Sequence, residues 1–333
     1  MQFRKLALAA AAMGGAAVVV AGCSSSDEPS PFVNTVSATA ALGALSGSTC
    51  VLDLVPASGG FTPSAVTGAD GVVRFSPAIL EPGPFQLTCS GGAYYNEATG
   101  ATVSFENKQL RSIVTPRESP GPLGVAVTTA TDLVVASLSD PLTEADADLI
   151  LDAVTEVAIA LGFPNLNLML PPQVVNADNR AITNGAAPGL YAVLLAGLAQ
   201  LAEDIGLTPD ELGAELRSDV IAGQPIGTSL IGTGGITSAA DFLVKLDAAV
   251  NAIAAEILSP SVQANVIAQI AQQQGAASQA PGRGIITPMN PDPTPTPTGS
   301  PTPTPTPSIP PTPPPTGGTG GTGGSGGGGG GTP

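Results

Sequence analysis

The chain has 333 residues and a formal net charge of −16, from 10 Lys and Arg against 26 Asp and Glu. It contains no His, which excludes the Ser-His-Asp and Cys-His arrangements of nucleophilic enzymes and removes the commonest ligand of transition metals. The acidic balance argues against nucleic-acid binding, and 3 Cys are too few for an all-Cys zinc site, so we predict no cofactor.

The first 22 residues have the pattern of a secretory signal peptide. Arg4 and Lys5 supply the positive charge, and residues 6–21 form an uncharged apolar run. This run is shorter than the ~20 residues that a transmembrane helix needs, so we expect export and cleavage. Cleavage would make the mature chain more acidic, because it removes both cations.

The end of this segment, Val20, Ala21, Gly22 and Cys23 followed by three serines, resembles the signal of bacterial lipoproteins. The resemblance implies that Cys23 becomes the mature N-terminus and carries acyl chains such as palmitate, which anchor the chain to a membrane. Ser24 stands where Asp would signal inner-membrane retention, so the expected location is the outer membrane. The alternative is an ordinary signal peptide with a chance Cys.

Residues 23–31 have the composition of a short polar tether, and residues 32–116 show short apolar runs separated by turn residues. Asp70 and Gly71 are a tight-turn signal between two of these runs. About seven strands over this length predict a small β-sandwich. The clearest runs are residues 50–55, 71–75, 84–89 and 101–105.

Two segments of this region, residues 67–75 and 91–100, carry a further signal. They resemble turn-and-strand signatures of the carboxypeptidase-regulatory-like, or prealbumin-like, β-sandwich domains of bacterial surface lipoproteins. The second segment combines a glycine pair, a Tyr, an acidic residue and an Ala-Thr-Gly run. Because such domains are usually non-catalytic, the resemblance implies a binding or structural role.

Cys50 and Cys89 lie in two of the predicted strands. Since the lipoprotein resemblance assigns Cys23 to lipid in an exported protein, these two Cys are left to form a disulfide. Closing a loop of about 40 residues in this way would stabilise the fold by about 3–4 kcal/mol. The alternative is a pair of free buried thiols.

A cluster of Pro and Gly at residues 116–122 separates the β region from a predicted all-α domain at residues 123–279. This domain opens with a strand and a helix that starts near Thr131 or Asp132. Five further helices follow from apolar periodicity and capping residues, and together they are long enough to bury a core. They are predicted at residues 143–162 and 188–205, from residue 208, from residue 238, and from residue 259 to about residue 275.

Residues 280–333 have a different composition, in which Pro alternates with Thr and a glycine run follows. The Pro-Thr part favours polyproline II, and the glycine part favours flexible coil. Because this composition cannot bury a core, we predict a disordered tail that samples a surrounding polymer or partner.

Two polar segments are candidates for chemistry, and each has a simpler structural explanation. Glu144, Asp146, Asp148 and Asp152 are spaced partly like calcium ligands, but the loop Gly and the bidentate Glu of an EF-hand are missing. The helix dipole favours acidic residues at the start of a helix, and this preference explains the four acids without a bound calcium ion. The glycine-rich residues 223–235 lack the Gly-Lys of a phosphate loop, so they predict a mobile interhelical loop.

Tyr94 and Tyr95 stand beside a Gly-Gly turn in a chain with 3 Tyr. An exposed ring could stack on a sugar or on a partner, so both residues are possible ligand contacts. Packing inside the sandwich, with one phenol at its rim, explains the same pattern.

Together these patterns predict an α+β fold in separate domains: a small β-sandwich, an all-α helical domain and a disordered tail. The predicted function is that of a lipid-anchored, non-catalytic envelope lipoprotein with a binding or structural role, whose partner is an unknown envelope polymer or protein. Two alternatives stay open, a hydrolase that uses a carboxylate pair in the helical domain and a calcium-dependent adhesion module. Two buried acids facing one cleft would favour the hydrolase.

Overall fold

The computed structural model describes residues 32–54, 62–80, 84–115, 122–138 and 147–289. All of these residues fall in one compact unit. The predicted signal peptide, Cys23 and the tether lie outside the described residues, as does the tail from residue 290 onward.

The described residues form ten strands followed by six helices, so the fold is α+β with an N-terminal β part and a C-terminal helical part. The strands are β1 (Phe32–Ala41), β2 (Leu45–Ser46), β3 (Thr49–Leu54), β4 (Ser64–Val66), β5 (Val72–Leu80), β6 (Phe85–Ser90), β7 (Ala93–Tyr95), β8 (Thr102–Ser104), β9 (Gln109–Val114) and β10 (Pro122–Thr128). The helices are α1 (Thr129–Ser137), α2 (Ala147–Ala160), α3 (Ala187–Asp204), α4 (Pro209–Ile221), α5 (Ala239–Ile257) and α6 (Gln263–Gln279).

Two larger sheets share one buried core in the β part. The first has the order β10-β1-β5, and the second has the antiparallel order β4-β3-β6-β9. A smaller sheet has the order β2-β7-β8. Inward-facing side chains of both larger sheets, among them Val36, Leu87 and Val125, form a single apolar cluster, as two stacked sheets require.

Strand β1 has one antiparallel and one parallel neighbour. It pairs antiparallel with β5, so that Val36 lies opposite Phe75. On its other side it pairs parallel with β10, which places Val36 opposite Leu123. Strand β10 therefore completes the first sheet from a position in the sequence that we assigned to the helical domain.

The turn predicted at Asp70 and Gly71 is confirmed. Asp70 Oδ1 accepts from the Val72 N–H at 3.1 Å, and Gly71 has a φ of 71°. A Cβ at this position would lie 2.5 Å from the Ala40 carbonyl oxygen, so both the backbone conformation and the space require glycine.

The helical part confirms the predicted helix positions. Helix α3 is buried along most of its length, and Pro209 and Ser238 stand at the predicted starts of α4 and α5. Helix α3 also packs closely on α5, since a Cβ on Gly197 would lie 2.3 Å from Val250 Cγ2. The last helix runs four residues beyond Gly275, where we expected it to end.

The lengths and hydropathy of the helices bear on membrane spanning. Within the described ranges, no helix is by itself long and apolar enough to cross a bilayer. Helices α3 and α4 reach the necessary length and apolar character only as a pair, and this pair is bent by 98°.

The β part and the helical part are packed together rather than separated. Helix α1 follows β10 directly and packs against β9, and Ile113 of β9 forms a buried cluster with Val135 of α1 and Ile150 of α2. Our expectation of separate domains does not describe this arrangement. Strand β10 belongs to the first sheet, and helix α1, which follows it directly, packs against β9 of the second sheet. Whether residues 32–116 and 123–279 can each fold alone stays a prediction.

The glycine-rich segment, residues 223–235, is tied to helix α4 by hydrogen bonds, and its mobility stays a prediction. Buried Asp219 of α4 accepts from the backbone N–H groups of Gly227 at 2.7 Å and Ser229 at 2.9 Å. Two side chains of the segment itself, Ile226 and Leu230, are buried in the helical core. These contacts turn the segment into a cap over the helical core.

The first residues of the predicted tail form contacts with the helical part. Residues 280–289, which we call the strap, lie against the compact unit and bury Ile286. The Thr287 N–H donates to Glu156 Oε2 at 2.9 Å, and the Met289 N–H donates to the Ser137 carbonyl at 2.7 Å. An isoleucine and several backbone groups inside the Pro-Gly composition therefore find partners, and the disorder of the tail stays a prediction.

Candidate functional site

A cavity of about 330 Å³ lies where the start of β9 meets α1 and the first turns of α4. We call it the seam cavity, because the β part lines one side and the helices line the other. Its charged lining residues are Lys108, Asp132, Asp210, Glu211 and Arg217.

Helix α1 begins with a capping box that fixes its first turn against β9. The Thr131 N–H donates to Thr128 Oγ1 at 3.2 Å, and the Thr128 N–H donates to Thr131 Oγ1 at 2.8 Å. The Thr131 hydroxyl lies 2.9 Å from the Arg111 carbonyl oxygen, to which it donates. Asp132, the next residue, is therefore held at the seam.

Asp132 joins three elements through one carboxylate. Arg111 Nε of β9 donates to Oδ1 at 2.7 Å, and Arg217 Nη1 of α4 donates to Oδ2 at 3.2 Å. The carboxylate is almost fully buried, so its charge needs these two guanidinium partners. The pairing ties α1 to β9 on one side and to α4 on the other.

Asp210, in the first turn of α4, has a second set of partners. The Tyr94 hydroxyl donates to Oδ1 at 2.8 Å, and the Lys108 ammonium contacts Oδ2. Burial, and then the hydrogen bond to Asp210, raise the pKa of Tyr94 above its usual range. The phenol therefore keeps its proton and remains a donor to Asp210.

Glu211 completes the acidic side of the seam cavity. Its Oε2 accepts from the Thr208 N–H at 2.8 Å, at the start of α4. This backbone hydrogen bond lowers the pKa of Glu211 below its usual value, so the carboxylate is ionised at neutral pH.

Every acid that lines the seam cavity is thus held by a cation or by a backbone N–H. Each of these carboxylates has at least one oxygen engaged in a contact that holds parts of the fold together. Such an arrangement is suited to holding the strands against the helices. Sequence reasoning missed it, since the partners in the Lys108–Asp210 and Arg217–Asp132 pairs lie 102 and 85 residues apart.

The two tyrosines singled out in the sequence are both buried. Tyr94 packs edge-on against Phe105, with ring centroids 6.2 Å apart. The Arg180 guanidinium lies over the Tyr95 ring, 5.7 Å from its centroid. Neither ring offers an open face in this structure, so packing accounts for both side chains, and their contact with a ligand stays a prediction.

The predicted disulfide between Cys50 and Cys89 is confirmed. The two residues are register partners on the neighbouring antiparallel strands β3 and β6, inside the apolar core of the β part. The bond therefore staples two adjacent strands of one sheet. Cys23, the predicted lipid attachment residue, lies outside the described residues.

Glu97 is a partly buried acid that sequence reasoning did not single out. Part of its side chain reaches the surface, but Oε2 is buried and has no hydrogen-bond partner among the described residues. Burial raises the pKa of Glu97 to about 8. The one available signal was an acid within a tight turn, residues 96–100, that the Asn96 side chain stabilises.

The candidate calcium residues fall in two places. Glu144 and Asp146 lie outside the described residues, and Asp148 and Asp152 are exposed on α2. Across the described ranges, no three His, Cys, Asp or Glu side chains are grouped so that they could hold a metal ion. A calcium role for these residues stays a prediction.

No protein-family model matches this chain, and no curated protein matches it. Among solved structures, the chain has a partial likeness to BcpA, the major pilin subunit of Bacillus cereus. The likeness covers 29% of this chain and 30% of the pilin chain, with 16% sequence identity and a TM-score of 0.21. At this level it carries no argument about fold or function.

Proposed function

We propose that the protein is a lipid-anchored component of the cell envelope, held in the outer membrane through Cys23, with a non-catalytic structural or binding role. The lipoprotein-like signal that ends at Cys23 supports the anchor. The β part, with two sheets on one core, fits the prealbumin-like sandwich that the sequence resembles.

The observation that carries the non-catalytic role is the pairing inside the seam cavity. Asp132 and Asp210, its two buried acids, are each engaged on both carboxylate oxygens by side chains of other elements. These contacts hold the strands and the helices together as one body. A rigid body on a lipid anchor suits a protein that spaces, scaffolds or binds a neighbour.

The position of the anchor would keep the β part close to the membrane. Eight residues separate Cys23 from Phe32, where β1 begins. A chain of this length spans at most about 30 Å when fully extended. The lipid has to supply the attachment, because an acidic chain is repelled by anionic lipid.

Membrane fractionation of a Cys23→Ser variant tests the anchor. We expect the variant to move from the membrane fraction to the soluble fraction and to lose labelling by a palmitate analogue. Ser24→Ala is the matched control, because it changes the neighbouring residue and leaves the lipid-accepting sulfur in place. Membrane association and labelling that survive in Cys23→Ser would contradict the proposal.

A carboxylate-dependent hydrolase is the second candidate, because Asp132 and Asp210 line the same cavity. Its test is hydrolysis of a panel of glycans and peptides by the wild-type protein and by Asp132→Asn. Turnover by the wild type that disappears in Asp132→Asn, with the melting temperature unchanged, would establish the hydrolase in place of the non-catalytic role.

A further inference from the structure

We propose that Lys108 and Asp210 become joined by an intramolecular amide bond across the seam cavity. The Lys108 Nζ and the Asp210 carboxylate are in direct contact, although the residues lie 102 positions apart in the sequence. The bond would connect the β part covalently to helix α4. This inference is independent of the lipid anchor.

The chemistry depends on the residue types at this contact. Of the four ion pairs in the described part of the chain, Lys108–Asp210 is the one formed by a lysine. The others use arginine, whose guanidinium is protonated at any physiological pH and is no amine nucleophile. A lysine amine can lose a proton and attack a carboxyl carbon.

The two carboxylate oxygens of Asp210 have different partners. Oδ1 accepts from the Tyr94 hydroxyl at 2.8 Å, on the buried side, where Tyr94 packs against Phe105. Oδ2 faces Lys108. The Asp210 side chain is 4% exposed and that of Lys108 is 42% exposed, so the amine approaches a buried carboxyl from the open side.

The reaction balances without another reagent. The bond between Nζ of Lys108 and Cγ of Asp210 forms, and the bond between Cγ and Oδ2 breaks. Two of the three ammonium protons leave with Oδ2 as one water molecule, and the third stays on the amide nitrogen. Oδ1 becomes the amide oxygen and keeps its hydrogen bond from Tyr94.

Two features lower the barrier to this reaction. Fixed contact between amine and carboxyl replaces an encounter in solution, and such positioning gives effective concentrations of about 10⁵–10⁸ M. The Tyr94 hydroxyl points at the oxygen on which negative charge develops during attack, as a donor in an oxyanion hole does. Because the pKa of Tyr94 is raised, the proton needed for this hydrogen bond stays in place.

Peptide mapping of the purified full-length chain tests the proposal. After denaturation and reduction, trypsin should fail to cleave after Lys108. A branched peptide should join the segments that contain Lys108 and Asp210, with a mass lower than their sum by one water. Lys108→Arg keeps the positive charge and lacks the amine, so it should restore cleavage and give two linear peptides.

The role of Tyr94 has its own matched pair of variants. Tyr94→Phe keeps the ring and removes the donor to Asp210, so the branched peptide should fall at least tenfold in yield. Tyr95→Phe removes the hydroxyl of the neighbouring buried tyrosine and should leave the yield unchanged.

Three outcomes would overturn the proposal. The first is complete tryptic cleavage after Lys108 in the wild type, which describes an ordinary ion pair. The second is the loss of one water within a single linear peptide, which describes a cyclic imide at an aspartate. The third is a branched peptide that persists in Lys108→Arg, which places the cross-link at another residue.

Discussion

The Arg283 guanidinium and the Asp247 carboxylate form a two-point ion pair between the strap and helix α5. Nη2 lies 2.6 Å from Oδ1, and Nη1 lies 2.9 Å from Oδ2. Parallel hydrogen bonds of this kind are among the stronger polar contacts in proteins, because both groups are charged and planar. The ion pair fixes the strap shortly before the chain enters the Pro-Thr tail.

Arg283→Ala should destabilise the compact unit by about 1–3 kcal/mol, because it leaves the half-buried Asp247 without its charged partner. Urea denaturation would measure the change. Lys245→Ala is the control, since Lys245 lies on the same helix and forms no ion pair among the described residues. Equal losses in the two variants would show that the two-point pair contributes nothing specific.

Glu97 should make the protein less stable as the pH rises from about 4.5 to about 8. Its pKa is near 8 in the folded state, whereas an unperturbed glutamate has a pKa of 4.5, so the folded state holds the extra proton across this window. Stability then falls with pH, with a slope of at most about 1.4 kcal/mol per pH unit from this group.

Glu97→Gln imitates the protonated carboxyl and should flatten this dependence. Thermal melts between pH 5 and pH 8 would give the variant a higher melting temperature than the wild type at pH 8 and a similar one at pH 5. Glu203→Gln, at an exposed acid near the end of α3, should leave the pH profile unchanged. Parallel profiles for wild type and Glu97→Gln would mean that Glu97 is ionised in the folded protein.

Asp219→Ala should loosen the cap formed by the glycine-rich segment. The substitution leaves the backbone N–H groups of Gly227 and Ser229 without their acceptor, which costs about 2–4 kcal/mol in total. Hydrogen exchange at residues 223–235 should rise at least tenfold. Glu215→Ala, at an exposed position on the same helix, should change neither the stability nor the hydrogen exchange of this segment. Hydrogen exchange that stays slow in Asp219→Ala would contradict the prediction.

Gly197→Ala and Gly275→Ala should have opposite effects on stability. A Cβ at Gly197 would lie 2.3 Å from Val250 Cγ2 and 2.9 Å from Val250 Cα, so α3 and α5 must move apart. We expect a net loss of about 1–3 kcal/mol there. Nothing lies within 4 Å of a Cβ at Gly275, so alanine should stabilise α6 by up to about 1 kcal/mol. Chemical denaturation of both variants would measure the two changes in the free energy of unfolding. A higher stability of Gly197→Ala would contradict the close packing of α3 on α5.

Local signals allowed much of the secondary structure to be predicted. Pro209 at a helix start, Ser238 as an N-cap and the Asp70–Gly71 turn act within a few residues, so the sequence alone reveals them. The composition of the strap did not predict its packing, because one isoleucine, Ile286, is buried within it and the partner of Arg283, Asp247, lies 36 residues away in the sequence.

The seam cavity could not be predicted, because its parts come together only in the folded chain. Asp132 and Asp210 each looked like an ordinary acid in the first turn of a helix, a position that the helix dipole explains. Their partners Arg111 and Lys108 belong to the β part. No periodicity or spacing links residues that distant.

The pairing of β1 with β10 has a consequence for the order in which the chain folds. Val36 lies opposite Leu123, so during synthesis β1, the first of the described strands, must wait for a partner 87 residues later (36 to 123). Closing so long a loop is slow compared with forming a hairpin. Until Leu123 arrives, one edge of β1 stays open, and this period is when the nascent chain has most need of protection from pairing with other chains.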